Sequence, residues 1–320
     1  MPAKKYELKM GAATREAFGK ALVEVGRLNP NVVALDADLS KSTYTAGFGK
    51  EFPDRFFECG IAEANMMAIG AGLASAGKIP FAASFSVFAL NKGFEQLRVT
   101  AAYPNVNLKV VGTHSGISIG EDGPSQMSVE DLSLACSLAG FTVISPADEV
   151  SMGKLVHAAA EHVGPLFIRA GRSKTAVIYS TDDPIRIGAA VELVQGTDVT
   201  LIATGLLVAE SIRAAEALAA EGISARVIDI HTIRPLDRDA IARAARETGA
   251  IVVSEEHLVD GGLGVRVAQV VAELEPVPME FVGIQNTYAE SGPPEALLDK
   301  YGLLARDVAA AARRVVKRKR

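Results

Sequence analysis

Residues 60–77 read G-I-A-E-A-N-M-M-A-I-G-A-G-L-A-S-A-G, with one carboxylate, Glu63, at the mouth of a run of small residues. From position 62 to position 77 there are six Ala, three Gly and one Ser in sixteen places, so a helix here carries little side-chain bulk and another backbone can approach it closely. The larger residues Ile61, Met66, Ile69 and Leu73 predict one apolar helix face. A carboxylate in the first turn of such a helix has two readings. It is a surface acid satisfying the positive end of the helix dipole, or a buried acid presented to a ligand at a packed interface.

On both sides of this stretch, apolar runs alternate with helical patterns, the signature of parallel α/β sheets. The pattern predicts a helix over 13–28 and a buried strand over 31–35. That strand ends in D-A-D-L-S-K-S (36–42). Ligands in open α/β sheets collect past the carboxyl ends of strands. Asp38, Ser40 and Ser42 are therefore a site candidate, beside the plainer reading of a polar loop with an Asx turn. After the Glu63 helix, a strand over 79–86 leads into a helix over 88–100, with Phe85 and Phe88 at the join. Core packing is the ordinary use of such a pair. A strand over 108–112 then runs into T-H-S-G-I-S-I-G-E-D-G-P-S-Q (113–126), which carries His114, Glu121, Asp122 and Gln126. Loops this long without structure of their own are uncommon unless functional. Helices over 129–139 and 148–162 and strands over 141–145 and 165–170 close the first domain, and Arg172 lies just past the last strand.

The second half repeats the alternation, with strands expected over 199–203, 225–230, 250–254 and 279–282. Helices are expected over 207–221, 238–248, 263–274 and 294–316. The expectation is an α/β chain of two doubly wound domains, 1–180 and a smaller 198–320, joined by a linker over 181–197.

The chain has 320 residues, 49% hydrophobic, with a net charge of −5, enough for two substantial cores. The mild acidity argues against a general nucleic-acid role. Two cysteines, Cys59 and Cys136, give neither a disulfide framework nor paired metal spacing, and the expected setting is a reducing cytoplasm. The first ten residues lack the apolar core of a signal peptide, and no apolar run approaches the ~20 residues that span a bilayer, so no membrane role is expected. The tail 313–320 has six basic residues in eight, read as a frayed helix end with favourable dipole charges.

The 113–126 loop, the acidic helix after it and S-P-A-D (145–148) together resemble transketolase. G-I-x-E (60–63), the Phe85/Phe88 pair, R-A-G-R (169–172) and Y-G-L (301–303) follow in that family's order. The resemblance covers the family's pyrimidine-binding and C-terminal domains. The family's N-terminal domain, with its Gly-Asp-Gly…Asn signature for a diphosphate and Mg²⁺, has no counterpart; Val259-Asp260-Gly261 with Asn286 is a chance near miss. The resemblance implies the C-terminal subunit of a split transketolase. Such a subunit needs a separate N-terminal subunit that supplies the Mg²⁺ ligands, and it self-associates through both of its own domains.

The implied cofactor is thiamine diphosphate. Glu63 matches the glutamate that donates to a pyrimidine ring nitrogen, which requires a dry site. Phe85 and Phe88 match the aromatics that hold the pyrimidine, and Asp38 matches an aspartate near the cofactor. His114 matches a catalytic histidine at the donor sugar's carbonyl, Asp122 and Gln126 match residues that read the sugar, and Arg15, Ser42 and Arg172 match the grip on its phosphate. The family commonly has a third aromatic where Asn91 stands, and Arg and His where Ala62 and Ala64 flank Glu63. The implied activity is transfer of a two-carbon ketol unit from a ketose phosphate to an aldose phosphate. The competing readings are half of a 1-deoxyxylulose-5-phosphate synthase-like enzyme, a 2-oxoacid dehydrogenase beta subunit, and a non-catalytic regulatory subunit.

Overall fold

The computed structural model describes residues 6–319. Two sheets organise them, and the fold is α/β with doubly wound parallel sheets as expected. In the first sheet the strands run in the order Thr232–Arg234, Thr142–Ile144, Leu166–Arg169, Lys109–Thr113, Ile79–Phe85, Val32–Asp36, Phe56–Glu58. All neighbours are parallel except the first pair. Val32–Asp36 and Lys109–Thr113 are buried along their whole length, as strands covered on both faces must be. The chain leaves Val32–Asp36 for Phe56–Glu58 on one side, then returns to Ile79–Phe85 on the other. That reversal makes the carboxyl end of Val32–Asp36 the switch point of the sheet.

The second sheet has the order Met279–Ile284, Ile251–Leu258, Val199–Ala203, Ala225–Asp229, Val191–Val194, with only the last pair antiparallel. Val191–Val194 lies inside the stretch read as linker. Thr232–Arg234, far along the chain, pairs with Thr142–Ile144 and extends the first sheet. The cores are shared too. Met66, Met67, Leu97 and Phe141 from the layers around the first sheet pack in one apolar cluster with Ile228, Ile241 and Val267 in and around the second.

Local chemistry explains most element ends. The helix Glu149–Glu161 starts at a capping box, with Asp148 accepting from the Ser151 backbone and the Ser151 side chain accepting from Asp148. The helix expected over 294–316 is two helices, Pro294–Lys300 and Ala305–Val316, because Gly302 at φ +70° terminates the first. The segment expected as one helix over 88–100 contains two π-helical stretches, Phe88–Lys92 and Leu97–Ala102, on either side of Phe94–Gln96. Such wide turns are uncommon and concentrate at functional sites. The basic tail is tied down rather than frayed. Arg313 pairs with Glu221, Arg314 and Arg318 pair with Glu280, and Lys319 donates to the carbonyl of Asp198. Arg320 lies outside the described residues. Among the described residues no helix is long and apolar enough to cross a membrane.

Candidate active site

The parallel strands of the first sheet share one direction, so their carboxyl ends share one rim. Asp38 and Ser42 follow Val32–Asp36. Glu63 follows Phe56–Glu58, Phe85 ends Ile79–Phe85 and Phe88 follows it, His114 follows Lys109–Thr113 and Arg172 follows Leu166–Arg169. A short antiparallel ribbon, Met10–Ala13 with Lys174–Ala176, carries Arg15 to the same rim. Its anchors there are Thr14 Oγ1, which accepts from Gly171 N at 2.7 Å, and Arg15 N, which donates to Gly171 O.

Glu63 is the first residue of the helix Glu63–Ser75 and is only 3% exposed. The buried line of that helix is Glu63, Met66, Met67, Gly70 and Ala71. This corrects the expected face. Ile61 precedes the helix and is 76% exposed, and Ile69 also points outward. Small residues are used where expected: a Cβ on Gly70 would lie 2.9 Å from Leu108 Cδ1. Lys92 Nζ lies 3.1 and 3.3 Å from the two Glu63 oxygens and 4.4 Å from the centre of the Phe88 ring. Phe88 stacks against Phe85 with ring centres 5.8 Å apart, and Phe85 stacks against His114 at 3.8 Å. Asn91, in the third aromatic's place, turns away and donates to Glu130 at 2.8 Å.

His114 sits at φ +57°, a left-handed conformation that non-glycine residues seldom adopt. Arg15 Nη1 lies 3.0 Å from its Nε2. A guanidinium can only donate, so Nε2 accepts and Nδ1 carries the proton. Nδ1 donates to Thr113 Oγ1 at 2.9 Å, and that hydroxyl donates to Ser84 O at 3.2 Å. Burial, then the charges of Arg15 and Arg172, push the imidazole down to about 3, so it is neutral at physiological pH. The same Arg15 nitrogen donates to the Ser42 carbonyl at 2.8 Å, and its guanidinium lies over the Tyr44 ring at 5.4 Å.

Arg172 bonds to Glu121 at 2.9 Å and to the Ile119 carbonyl. It is close enough to Arg15 for the two charges to oppose each other, while Asp122 favours the charge of Arg15. Gln126 contacts Ser125. Asp38, at φ +62°, is exposed, and its backbone N–H donates to Glu58 at 2.7 Å. Sequence reasoning chose Asp38 and passed over Asp36. Asp36 is fully buried and accepts from Leu39 N and from the hydroxyls of Thr43 and Thr45, so it shapes the loop on which Asp38 sits. Burial pushes its carboxyl up to about 6. Lys92 was also missed, although it stands four residues after Phe88, within reach on one helix face.

Behind the rim, charged side chains lock the two sheets together. Arg169 Nε donates to Asp131 at 2.8 Å and Arg169 Nη2 to the Glu256 carbonyl at 2.9 Å. Glu256 accepts from Ser118 N at 2.6 Å, and a Cβ on Gly116 would collide with its carboxylate. Only glycine fits there, because Gly116 also sits at φ +79°. A cavity of about 220 Å³ opens beside this junction, lined by Ser115, Ser118, Arg169, Lys174, Arg213 and Glu256 among others. Glu63, Phe88 and Lys92 do not line it.

A parallel α/β sheet with an acid, an aromatic pair and a cationic patch around its switch point defines a ligand-binding α/β class. Within that class, the model of the transketolase pyrimidine-binding domain matches residues 10–177 and that of the transketolase C-terminal domain matches residues 188–308. The chain belongs to the transketolase family. It is 42% identical over 299 residues to a Methanocaldococcus jannaschii protein described as "Putative transketolase C-terminal section", covering 92% of this chain and 93% of that protein. It is 39% identical over 305 residues to a Clostridium protein described as "6-deoxy-6-sulfo-D-fructose transketolase subunit SqwH", covering 95% of each. Against human transketolase the identity is 39% over 97% of this chain, which spans 50% of the human protein. A solved structure described as "Split gene transketolase, inactive beta4 tetramer" superposes with a TM-score of 0.91 at 48% identity, covering 97% of this chain and all of that one.

Transketolases depend on thiamine diphosphate. A buried carboxylate beside an aromatic face, both now turned to the Lys92 ammonium, is a pairing that a nitrogen-containing ring could use through one edge and one face. Among the described residues no group of three or more His, Cys, Asp or Glu could hold a metal ion.

Proposed function

We propose that this chain is the C-terminal, pyrimidine-binding subunit of a two-subunit cytoplasmic transketolase, divided into functional halves at 1–180 and 198–320. The observation that carries this is the Glu63 carboxylate, buried at a helix start and sharing a cation with the Phe88 face. Thiamine diphosphate, when bound, supplies a nucleophilic carbon that cleaves a ketose and passes its two-carbon ketol unit to an aldose. Glu63 would hold the proton shared with the pyrimidine nitrogen, and Phe85 and Phe88 would hold the ring. Asp38 would stand near the cofactor. A separate N-terminal subunit would grip the diphosphate and its Mg²⁺.

The substrate side follows from charge. Neutral His114 can act at the donor's carbonyl and hydroxyl region, because its Nε2 is free to accept once Arg15 turns to an anion. Arg15 and Arg172, with Ser42, would grip the anionic end of the sugar, and Asp122 and Gln126 would read its hydroxyls. The two arginines oppose each other, and an anion between them relieves that opposition.

The decisive experiment reconstitutes the chain with a subunit carrying the diphosphate domain and follows two-carbon transfer to ribose 5-phosphate. Turnover of xylulose 5-phosphate supports the reading, and turnover of pyruvate in its place would replace it. Because the Clostridium relative has a sulfonated fructose in its name, 6-deoxy-6-sulfofructose as donor tells a sulfonate end from a phosphate end.

A further inference from the structure

Lys92 stands where two properties of the rim meet. Its ammonium bonds both oxygens of Glu63, at 3.1 and 3.3 Å, and lies 4.4 Å above the Phe88 ring. Glu63 is almost wholly buried, whereas the Lys92 side chain is 49% exposed. The wide turn over Phe88–Lys92 brings the lysine back over the aromatic. Asn91, its neighbour, faces Glu130 and leaves that face to Lys92.

We infer that Lys92 is an internal competitor for the cofactor pocket, holding the carboxylate and aromatic face that a pyrimidine ring takes and swinging outward when the ring arrives. The inference rests on the reading of Glu63 and Phe88 as that pocket. The ammonium sits in front of both Glu63 oxygens, where a ring nitrogen would have to approach to share a proton. The ammonium and the ring would also cover the same face of Phe88. The two occupancies therefore exclude each other. Displacement is feasible because a lysine stem is flexible, its ammonium is well hydrated in solvent, and the side chain is already half exposed. Lys92 therefore weakens cofactor binding and keeps a buried acid paired until the cofactor takes it over.

The test titrates thiamine diphosphate with Mg²⁺ into the assembled two-subunit protein by calorimetry. Lys92→Met keeps the stem and removes the charge. The expected result is a Kd lower than wild type by roughly tenfold, the size of a half-exposed ion pair plus a cation–π contact. In a Glu63→Gln background the ammonium loses its anchor, and Lys92→Met should then change Kd little. An unchanged or higher Kd for Lys92→Met, with Glu63→Gln abolishing turnover, overturns the competitor and leaves the pocket reading intact. Near-normal turnover of Glu63→Gln removes the pocket reading, and the competitor with it.

Discussion

The two sheets are built alike and use their carboxyl ends in opposite ways. In the last residues of the second sheet's strands, within Ala225–Asp229 and Ile251–Leu258, stand Asp229, Glu255, Glu256 and His257. Each of them makes at least one hydrogen bond within the fold. Glu255 accepts from Leu263 N and Gly264 N at the start of the next helix, at 2.7 and 2.8 Å. Asp229 accepts from Tyr179 at 2.6 Å, Glu256 from Ser118 N, and His257 bonds the Leu258 carbonyl. Past the first sheet, the groups meet one another instead: Arg15 with His114, Lys92 with Glu63, Arg172 with Glu121. Three residues on this rim, Asp38, Tyr44 and His114, hold left-handed backbone conformations, as strained functional loops often do. A strand end marks where a site can be; whether its side chains are still available marks where the site is.

The sharpest way to break this contrast is to neutralise one acid from each rim. Glu63→Gln should lower kcat of the assembled enzyme by about 10²–10⁴-fold, the usual weight of a proton-handling group. Glu255→Gln should leave kcat near wild type and instead lower folding stability by about 1–2 kcal/mol, read from the denaturant midpoint, because a helix start loses its countercharge. Equal losses of kcat in both would erase the distinction. Next in size is the lock between the sheets. Arg169→Met leaves Asp131 charged and fully buried, so unfolding free energy should drop by about 3–5 kcal/mol. A drop under 1 kcal/mol would show that Arg169, through Asp131 and the Glu256 carbonyl, does not hold the junction.

A smaller effect is expected on the substrate side. Arg172→Ala should raise KM for the sugar phosphate roughly 10- to 100-fold, with cofactor Kd unmoved. An unmoved KM would leave Arg172 as a partner of Glu121 only. The smallest is a slope. Burial raises the Glu256 carboxyl from its ordinary 4.5 to about 7. Between those values the folded chain keeps a proton that the unfolded chain has released, so stability falls as pH rises through that window. Melting temperatures of wild type and Glu256→Gln taken from pH 5 to pH 8 should diverge, with the wild type losing ground; parallel curves would contradict the shift.

The fold was largely legible because buried parallel strands leave long apolar runs and their helices leave periodic ones. The misses are physical. Five short strands, Met10–Ala13, Phe56–Glu58, Lys174–Ala176, Val191–Val194 and Thr232–Arg234, owe their state to distant partners that no local pattern announces. One helix became two at Gly302, a signal present in Y-G-L but read only as part of a family match. Of the rim, Glu63, Phe85, Phe88, His114 and Arg15 could be named from motif and placement, and the structure gathers them. Asp36 was hidden because it lies two residues before a more conspicuous aspartate, and its role depends on Thr43 and Thr45 folding back onto it. Lys92 was hidden because the wide turn that aims it at Glu63 cannot be inferred from spacing suited to an ordinary helix.

Thr232–Arg234 has a practical bearing. Among the described residues it is the only strand on that side of Thr142–Ile144, whose other neighbour is Leu166–Arg169. A fragment cut at residue 180 would keep every parallel strand of the first sheet yet bare a row of unpaired amide and carbonyl groups, together with the apolar cluster that Ile228 and Ile241 cover. Dissecting the protein at its sequence-defined boundary should therefore give a sticky, self-associating product, and a well-behaved shorter version must carry the chain at least past Ile241.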